Sequence, residues 1–377
     1  MPRTRQRWLV AAALTVPLAL LVGCAGDGAP SGDQTAAGSG DSPYGGALGT
    51  PEEETAIQSL YDQAEDAGEY EITAYGPPPA QSVIDAFQDR FPDIEITFEQ
   101  LQSQDRITRL QAEKASGNYV GDIAVDGRTP IIQMAGSDPS WCQEFQPAMD
   151  VPADLIGMDG RTVKTYNTVF GIIINTDLIS EADAPKSWED LIDPKWKGKE
   201  VMVSPAAGGA GAFISAMLLT PQENADKWGM KIVQGLKDNV SLVAKDAQTV
   251  SSVVDGTYPI GVLAYYPYYF QTLQTTPDAP VKFLLMQEGT GYSVGEQCVI
   301  ANAPHPHAAQ LWINWVVSKE GQAAYAASGS YPSMPGSPGP AGIPGPDEAS
   351  LITLLPDEES VTGYSPFVKQ IQALYGG

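Results

Sequence analysis

The sequence predicts an α/β protein with two lobes, built from mixed sheets that are flanked by helices. Short apolar runs typical of buried strands alternate with segments whose apolar residues have helical spacing. Such alternation is typical of βαβ units and of sheets with many parallel strands. The part of the chain expected to fold, from about Glu52 to Gly377, is longer than one typical domain. This length favours two lobes over one.

The N-terminus is typical of a cleaved export signal over residues 1–23. Three arginines precede an apolar run at residues 8–22 that is too short to be a good membrane span. The run ends in Leu-Val-Gly-Cys, which resembles the lipobox of bacterial lipoproteins. That resemblance implies a diacylglyceryl group on Cys24 and a lipid anchor at the outer face of the cytoplasmic membrane. The alternative is a secreted protein in which Cys24 forms a disulfide.

Residues 24–51 are rich in Gly, Ala, Ser and Asp and lack apolar periodicity, so they predict a flexible tether. The net charge is −25, and it becomes −28 without residues 1–23, when 18 basic residues face 46 acidic ones. This balance argues against nucleic acid as a partner, because neutralising its backbone needs clustered Lys and Arg. The acidic field favours a cationic ligand, although it also serves solubility.

The folded body is predicted to begin with a helix at residues 52–67, where Ile57, Leu60 and Ala64 share one face, and Gly68 ends it. The further predicted elements are strands at 71–75, 93–98, 121–125, 200–204, 260–264 and 296–301, and helices at 81–91, 106–115, 212–219, around 311–316 and at 365–375. Residues 335–346 are rich in Pro and Gly, which predicts an irregular segment on the surface.

Several stretches of the chain carry a resemblance to a known family. They are residues 185–191 (PKSWEDL), 193–199 (DPKWKGK), 303–309 (APHPHAA) and 318–322 (SKEGQ). Residues 165–177 look like the first crossover between lobes. These sequence motifs resemble those of the extracellular solute-binding proteins of ABC importers, in the branch that includes ferric-iron, thiamine, polyamine and phosphonate binders.

The resemblance implies a periplasmic-binding-protein-like fold with an interlobe cleft and two crossover strands. Lobe 1 would comprise residues 52–170 and 288–377, and lobe 2 would comprise residues 171–287. Such lobes close around a ligand by a hinge motion. The implied partners are a small-molecule or metal-ion ligand and the membrane subunits of an ABC permease. The protein itself would be a monomer with no cofactor and no enzymatic activity.

The expected ligand contacts follow from the rule that open α/β sheets hold ligands just past the carboxyl ends of strands. They are Tyr75, Gly76, Asp126, Gly127, Gly209, Ala210, Gly211, Gln248, Thr249, Tyr265 and Tyr266. The glycine-rich turn before the helix at 212–219 exposes backbone N–H groups, which favour an anion. Close packing of helix on strand explains the same glycines equally well.

Residues 257–270 deliver four tyrosines from the end of an apolar strand, around Pro267. Phenolate oxygens suit ferric iron, a hard cation. The iron-binding relatives carry adjacent tyrosines near Tyr265 and Tyr266, which makes these two the candidate metal ligands. Two features depart from the relatives' pattern: Pro267 interrupts it, and Ile174 stands where some iron binders place another tyrosine. An aromatic box for an organic cation would use the same residues. Ferric iron, as a transported ligand, and an organic amine therefore stay as alternatives.

The remaining cysteines, Cys142 and Cys298, form an even pair in an oxidising compartment, and we expect a disulfide between them. The chain has no CxxC pattern, so a zinc site is not expected. His305 and His307 are its two histidines, and they lie in a Pro-bounded turn before a helix. We therefore expect both to be structural.

Two alternatives come from other classes of protein. Residues 291–295 (GYSVG) satisfy the GxSxG pattern of a serine hydrolase with Ser293 as its nucleophile. That chemistry needs a strand before the serine and a helix after it, whereas a strand is predicted after Ser293. A surface-binding protein that uses the same fold without transport is the second alternative.

Overall fold

The computed structural model describes residues 48–101, 103–207, 211, 225–349, 351–353 and 365–376. The predicted signal peptide, Cys24 and most of the tether lie outside these residues, as does the predicted helix at 212–219. Within the described ranges, no helix has both the length and the apolar character that crossing a bilayer requires.

Helices and strands alternate through the described residues, as predicted. The helices are α1 (Pro51–Ala67), α2 (Gln81–Arg90), α3 (Ser103–Ser116), α4 (Arg128–Ala135), α5 (Ala225–Asn239), α6 (Asp246–Val254), α7 (Tyr266–Thr275), α8 (Pro306–Val316), α9 (Lys319–Ala327) and α10 (Ser365–Tyr375). The strands are β1 (Glu71–Tyr75), β2 (Glu95–Glu99), β3 (Ile123–Gly127), β4 (Ile156–Gly157), β5 (Thr162–Asn175), β6 (Glu200–Val203), β7 (Val240–Val243), β8 (Ile260–Tyr265), β9 (Val281–Leu284), β10 (Thr290–Val299), β11 (Tyr331–Pro332) and β12 (Leu351–Thr353).

Helix α1 illustrates how local sequence sets an element. The Thr50 hydroxyl accepts the Glu53 amide at 3.3 Å, and the Glu53 carboxylate accepts the Thr50 amide at 2.7 Å. This capping box satisfies two of the free donors at the helix start. At the other end, Gly68 adopts a left-handed conformation with φ 74° and closes the helix. The predicted apolar face of α1 is buried, which confirms the periodicity argument.

The first lobe is built on the strand order β2-β1-β3-β10-β5. Strands β1, β2 and β3 are parallel, and β10 runs antiparallel to both β3 and β5. Its core is aromatic at the centre, where the Phe87 ring lies 4.9 Å from Trp312 and 5.4 Å from Trp315. Both tryptophans belong to α8, so the predicted helix around residues 311–316 is a core element.

The second lobe is built on β5-β8-β6-β7, with β9 paired to β5. Strands β6, β7 and β8 are parallel, whereas β8 and β9 are antiparallel to β5. Trp188 and Trp196 are both buried in its core. The sheets are therefore mixed in both lobes.

Strand β5 belongs to both lobes. Its first part pairs with β10 as far as Val169, and from Phe170 onward it pairs with β8 and then β9. The strand changes sheet between these two neighbouring residues. The return crossover is the segment that ends β9 and begins β10, where the Trp188 indole donates a hydrogen bond to the Gly289 carbonyl at 3.0 Å.

The last helix differs from the expectation that residues 288–377 all belong to lobe 1. Ile371 and Tyr375 of α10 are buried in the core of the second lobe, and the Tyr375 hydroxyl donates to the Val233 carbonyl at 2.8 Å. The apolar face of an amphipathic helix does not specify which surface it packs against, so the sequence did not predict that α10 contacts the second lobe. The tether also ends earlier than residue 51, since Leu48 is buried and its carbonyl accepts the Lys319 amide at 3.1 Å.

A disulfide joins Cys142 to Cys298, whose Cα atoms lie 5.7 Å apart. Cys298 lies in β10, and Cys142 lies in the segment after α4, where it bridges to Ile300. The bond therefore ties an irregular segment to a central strand of the first lobe.

Candidate functional site

The carboxyl end of β3 forms a charged rim on the first lobe. Asp126 is one quarter exposed, and its carboxylate accepts Arg106 Nη2 at 2.6 Å and the Ser103 hydroxyl at 3.3 Å. The Gly127 amide donates to the same carboxylate at 2.8 Å. Arg106 is fully buried beneath Asp126. The rim thus presents a carboxylate whose position is set by an arginine behind it.

Arg106 also joins the ends of two strands. Its Nη1 donates to the carbonyl oxygens of Tyr75 at 3.1 Å and Val125 at 3.0 Å. The chain passes very close here, since a Cβ at Gly76 would lie 1.8 Å from the Val125 oxygen, and Gly76 has φ 139°. Only glycine fits this conformation and this approach. Gly76 therefore shapes the rim by its backbone.

Tyr75 was expected to contact the ligand, but it lies behind the rim. Its ring is fully buried, its hydroxyl donates to Glu113, and Arg109 Nε donates to that hydroxyl at 3.2 Å. Burial and the neighbouring Glu113 carboxylate raise the pKa of the Tyr75 phenol above its usual range. Strand residues alternate between faces, and the face of Tyr75 is covered by α3. Tyr75 is therefore part of the packing behind the site.

Two side chains of β5 continue the site toward the second lobe. Tyr166 stacks on Tyr325, with ring centroids 5.4 Å apart and planes 17° from parallel. Burial raises the pKa of the Tyr166 phenol, and the charges of Tyr265 and Asp126 raise it further. Tyr166 therefore lies near groups from both lobes. Thr168, two residues along the strand, is also buried.

Tyr265 ends β8 and reaches back to β5. Its phenol lies near the Thr168 side chain, and its ring lies 5.0 Å from Phe170 and 5.5 Å from Tyr268. Burial is the main cause that raises the pKa of Tyr265, and Asp246 at the start of α6 raises it as well. The side chain is only partly buried. Tyr265 thus lies at the junction where β5 changes sheet.

Tyr266 and Tyr269 have a different environment. Tyr266 is 1% exposed, and its ring packs edge-on against Phe283 at 5.1 Å. Tyr269 is also buried, at 5.6 Å from the same ring. The two adjacent tyrosines were both expected in the cleft, and the structure places Tyr266 in the core instead.

The remaining expected contacts are structural or lie outside the described residues. Gln248 accepts the amides of Ala244 at 3.1 Å and Lys245 at 3.0 Å, so it caps the start of α6. Thr249 is 1% exposed on the buried face of that helix. Gly211 packs against Val203, where a Cβ would lie 2.5 Å from a side-chain carbon. This supports the packing explanation of that glycine. Gly209 and Ala210 lie outside the described residues.

Sequence reasoning missed Arg106, Thr168 and Tyr166. Arg106 did leave a signal, because it lies four residues before Leu110 on the buried face of α3. A charged residue on an apolar stripe indicates a buried polar contact. Thr168 and Tyr166 gave no comparable signal, because apolar and polar residues follow no regular order along β5.

The geometry does not support a nucleophile elbow at Ser293. This residue lies within β10 and pairs with Thr168, whereas the elbow requires a turn from strand to helix. The histidines serve elsewhere as expected. His305 binds Asp122 through its ring at 3.1 Å, and His307 binds Glu69 at 2.8 Å.

These two contacts secure the start of α8, because the same carboxylates also accept backbone amides there. Among the residues that the structure describes, no group of three His, Cys, Asp or Glu side chains is placed to hold a metal ion.

Comparison with known proteins identifies related sequences and folds. The model of a family described as bacterial extracellular solute-binding protein matches residues 82–344. The chain is 29% identical over 164 residues to the Fe(3+)-binding periplasmic protein of Serratia marcescens, covering 42% of this chain and 47% of that protein. It is 24% identical over 279 residues to iron uptake protein A2 of Synechocystis, covering 67% and 75%.

The fold is shared with solved structures. Iron-bound HitA from Pseudomonas aeruginosa superposes with a TM-score of 0.64 at 21% identity, over 81% of this chain and 99% of that one. Apo ferric ion-binding protein A from Pasteurella haemolytica superposes with a TM-score of 0.63 at 15% identity, over 81% and 98%. At these identities the likeness establishes the two-lobe fold.

Proposed function

The chain belongs to the family of bacterial extracellular solute-binding proteins, and on that premise we propose that it captures a small solute between its lobes and delivers it to the permease of an ABC importer. The family match at residues 82–344 includes strands of both lobes. We place the lobes at residues 52–170 and 171–287, with the return to lobe 1 from residue 288 and α10 assigned to lobe 2.

The observation that carries this proposal is the position of Tyr265. It ends a parallel strand of the second lobe, and its phenol meets Thr168 on the part of β5 that pairs with the first lobe. Ligands of α/β sheets lie beyond such strand ends. A solute bound beside the Tyr265 phenol and Thr168 would contact both lobes at once, which is the requirement for ligand-driven hinge closure.

Two solute classes are supported. Ferric iron is favoured by the names of the two iron-related proteins to which the chain is similar, and by the phenol oxygen of Tyr265, a hard donor. A small organic cation is favoured by the rings of Phe170 and Tyr268 on either side of Tyr265. The net charge of −25 attracts either cation.

We also propose that the mature protein is a monomer, anchored by a lipid on Cys24 at the outer face of the cytoplasmic membrane. The support is the Leu-Val-Gly-Cys pattern after an apolar run. Labelling of growing cells with a radioactive fatty acid should mark the wild-type protein and not Cys24→Ala. Equal labelling of the two would remove the anchor from this proposal.

No catalytic role is proposed, because Ser293 lies inside a strand. Activity on an activated ester that is lost in Ser293→Ala would reverse this view.

Thermal unfolding with candidate solutes tests the transport proposal. Ferric citrate, thiamine, spermidine and a phosphonate are added separately, and binding should raise the melting temperature by mass action. Tyr265→Phe should weaken that binding about tenfold, because a direct polar contact is lost. Tyr70→Phe is the matched control, since Tyr70 is exposed on the first lobe. The proposal fails if no solute stabilises the protein, or if Tyr265→Phe binds like the control.

A further inference from the structure

The adjacent tyrosines Tyr265 and Tyr266 point to opposite sides of the second lobe. Tyr265 is the last residue of β8, and Tyr266 is the first residue of α7. The phenol of Tyr265 meets Thr168, whereas the hydroxyl of Tyr266 donates a hydrogen bond to the Ala341 carbonyl. The change from strand to helix between them turns the second side chain away from the first.

Ala341 lies in the Pro/Gly-rich segment at residues 335–346. We call this segment, together with residues 331–334 before it, the strap. The strap is held by its own contacts. The Tyr331 hydroxyl donates to the Pro344 carbonyl at 2.8 Å, and Ile343 is buried in the same cluster as Tyr266. Gly336 donates its amide to Asp347 at 2.8 Å. The carbonyl that receives Tyr266 is therefore part of an ordered structure and is not a chance neighbour.

We propose that Tyr266 is a positioning residue, which fastens the start of α7 to the strap so that Tyr265 alone of the pair faces the solute. This inference rests on the proposed function. Because the Tyr266 hydroxyl is turned toward the Ala341 carbonyl, its oxygen is not placed to bind a metal ion beside Tyr265.

The proposal limits the number of tyrosine oxygens in the cleft that can bind a solute. Two neighbouring tyrosines in the sequence suggest two phenolate donors for ferric iron. The hydrogen bond to the strap leaves Tyr265 as the donor and removes Tyr266 from this role. The specificity of this wall of the cleft is then set by one phenol and the rings beside it, those of Phe170 and Tyr268. A bound ferric ion would show charge transfer from Tyr265 and none from Tyr266.

Hydrogen exchange of the unliganded protein tests the positioning role without any solute. Tyr266→Phe keeps the buried ring and removes the bond to Ala341. Amides in the second turn of α7, which are hydrogen-bonded within the helix, should then exchange about fivefold faster, as expected for the loss of one neutral hydrogen bond. Tyr375→Phe is the matched control, because it also removes a bond from a tyrosine hydroxyl to a backbone carbonyl, that of Val233, on another helix. Unchanged exchange in α7 for Tyr266→Phe would overturn the inference.

Ferric citrate serves as the probe for the second part. A visible charge-transfer band should persist at full intensity in Tyr266→Phe at saturating iron and disappear in Tyr265→Phe. Loss of the band in Tyr266→Phe would overturn the inference. If no solute of the panel binds, the proposed function is at fault, whereas the exchange result still decides the role of Tyr266.

Discussion

Arg106 and Glu200 are both fully buried, but their surroundings differ. Arg106 donates to two strand-end carbonyls and to Asp126, so its charge is compensated. Glu200, at the start of β6, has no hydrogen-bond partner for either carboxylate oxygen among the described residues. Burial raises the pKa of Glu200 to about 8. A carboxyl in such a site stays protonated at neutral pH, because ionisation without a partner is costly.

Glu200→Gln should therefore stabilise the protein at neutral pH. The carboxyl titrates near 4.5 in the unfolded chain and near 8 when folded. Between these values the unfolded state has lost a proton that the folded state keeps, so stability falls as pH rises from 4.5 through 8. The amide removes this dependence. At pH 7 we expect a gain of about 3 kcal/mol, at roughly 1.4 kcal/mol per pH unit, and almost none at pH 4.5.

Urea unfolding at pH 5 and pH 8 measures this effect. Glu95→Gln is the matched control, because Glu95 is an exposed carboxylate on a strand of the first lobe. A gain for Glu200→Gln that is equal at both pH values would show that the carboxyl is not the titrating group.

Among the elements, the loop at residues 185–199 holds the return crossover in place, although its polar composition does not suggest such a role. It places Trp188 against the return crossover, where the indole donates to the Gly289 carbonyl and the backbone amide binds Glu288 at 3.2 Å. The lobe-2 side of that crossover is thereby held to the core. If the lobes close on a solute, we expect bending in the segment beyond Gly289, which has φ 112°, and at the junction in β5.

Trp188→Phe should destabilise the unliganded protein more than Trp196→Phe. Both indoles are buried in the same core, but the Trp196 nitrogen has no hydrogen-bond partner among the described residues. The first substitution strands the Gly289 carbonyl, and the second removes an unsatisfied donor. We expect a difference of about 1–2 kcal/mol. Urea unfolding of the two variants measures it, and equal losses would mean that the bond to Gly289 contributes nothing.

At the scale of the whole molecule, long connections decide which parts move together. The two lobes share β5, and the strap and α10 add contacts that the chain order does not suggest. The disulfide joins residues 156 positions apart within the first lobe. A cross-link over so long a loop restricts the unfolded chain strongly.

Reduction of the disulfide should lower the free energy of unfolding by up to about 5 kcal/mol, from the loop-closure entropy of the unfolded chain. Urea unfolding with and without a reductant measures the loss in the wild type. The double variant Cys142→Ser, Cys298→Ser should start from the lower stability and not respond to the reductant. A wild type that is indifferent to the reductant would contradict the prediction.

The sequence alone determined the type and order of the first elements, α1 to α3 and β1 to β3, whereas it did not predict the helices α4 to α7. Apolar periodicity, the capping pattern at Thr50 and the glycine at 68 act over a few residues, so their consequences are local and can be read from the chain. The sequence motifs that resemble the family predicted the two-lobe fold. Even the strand β1 has the predicted bounds, residues 71–75.

Only the tertiary structure decided how distant residues meet. It placed Tyr265 against Thr168 and Tyr266 under the strap, buried Tyr75 behind Arg106, and packed α10 on the second lobe. Each of these outcomes depends on contacts between residues far apart in the chain, and local patterns carry no information about such partners. The tyrosine pair shows the difference: its place at a strand end follows from sequence, but the direction of each phenol follows from what covers it.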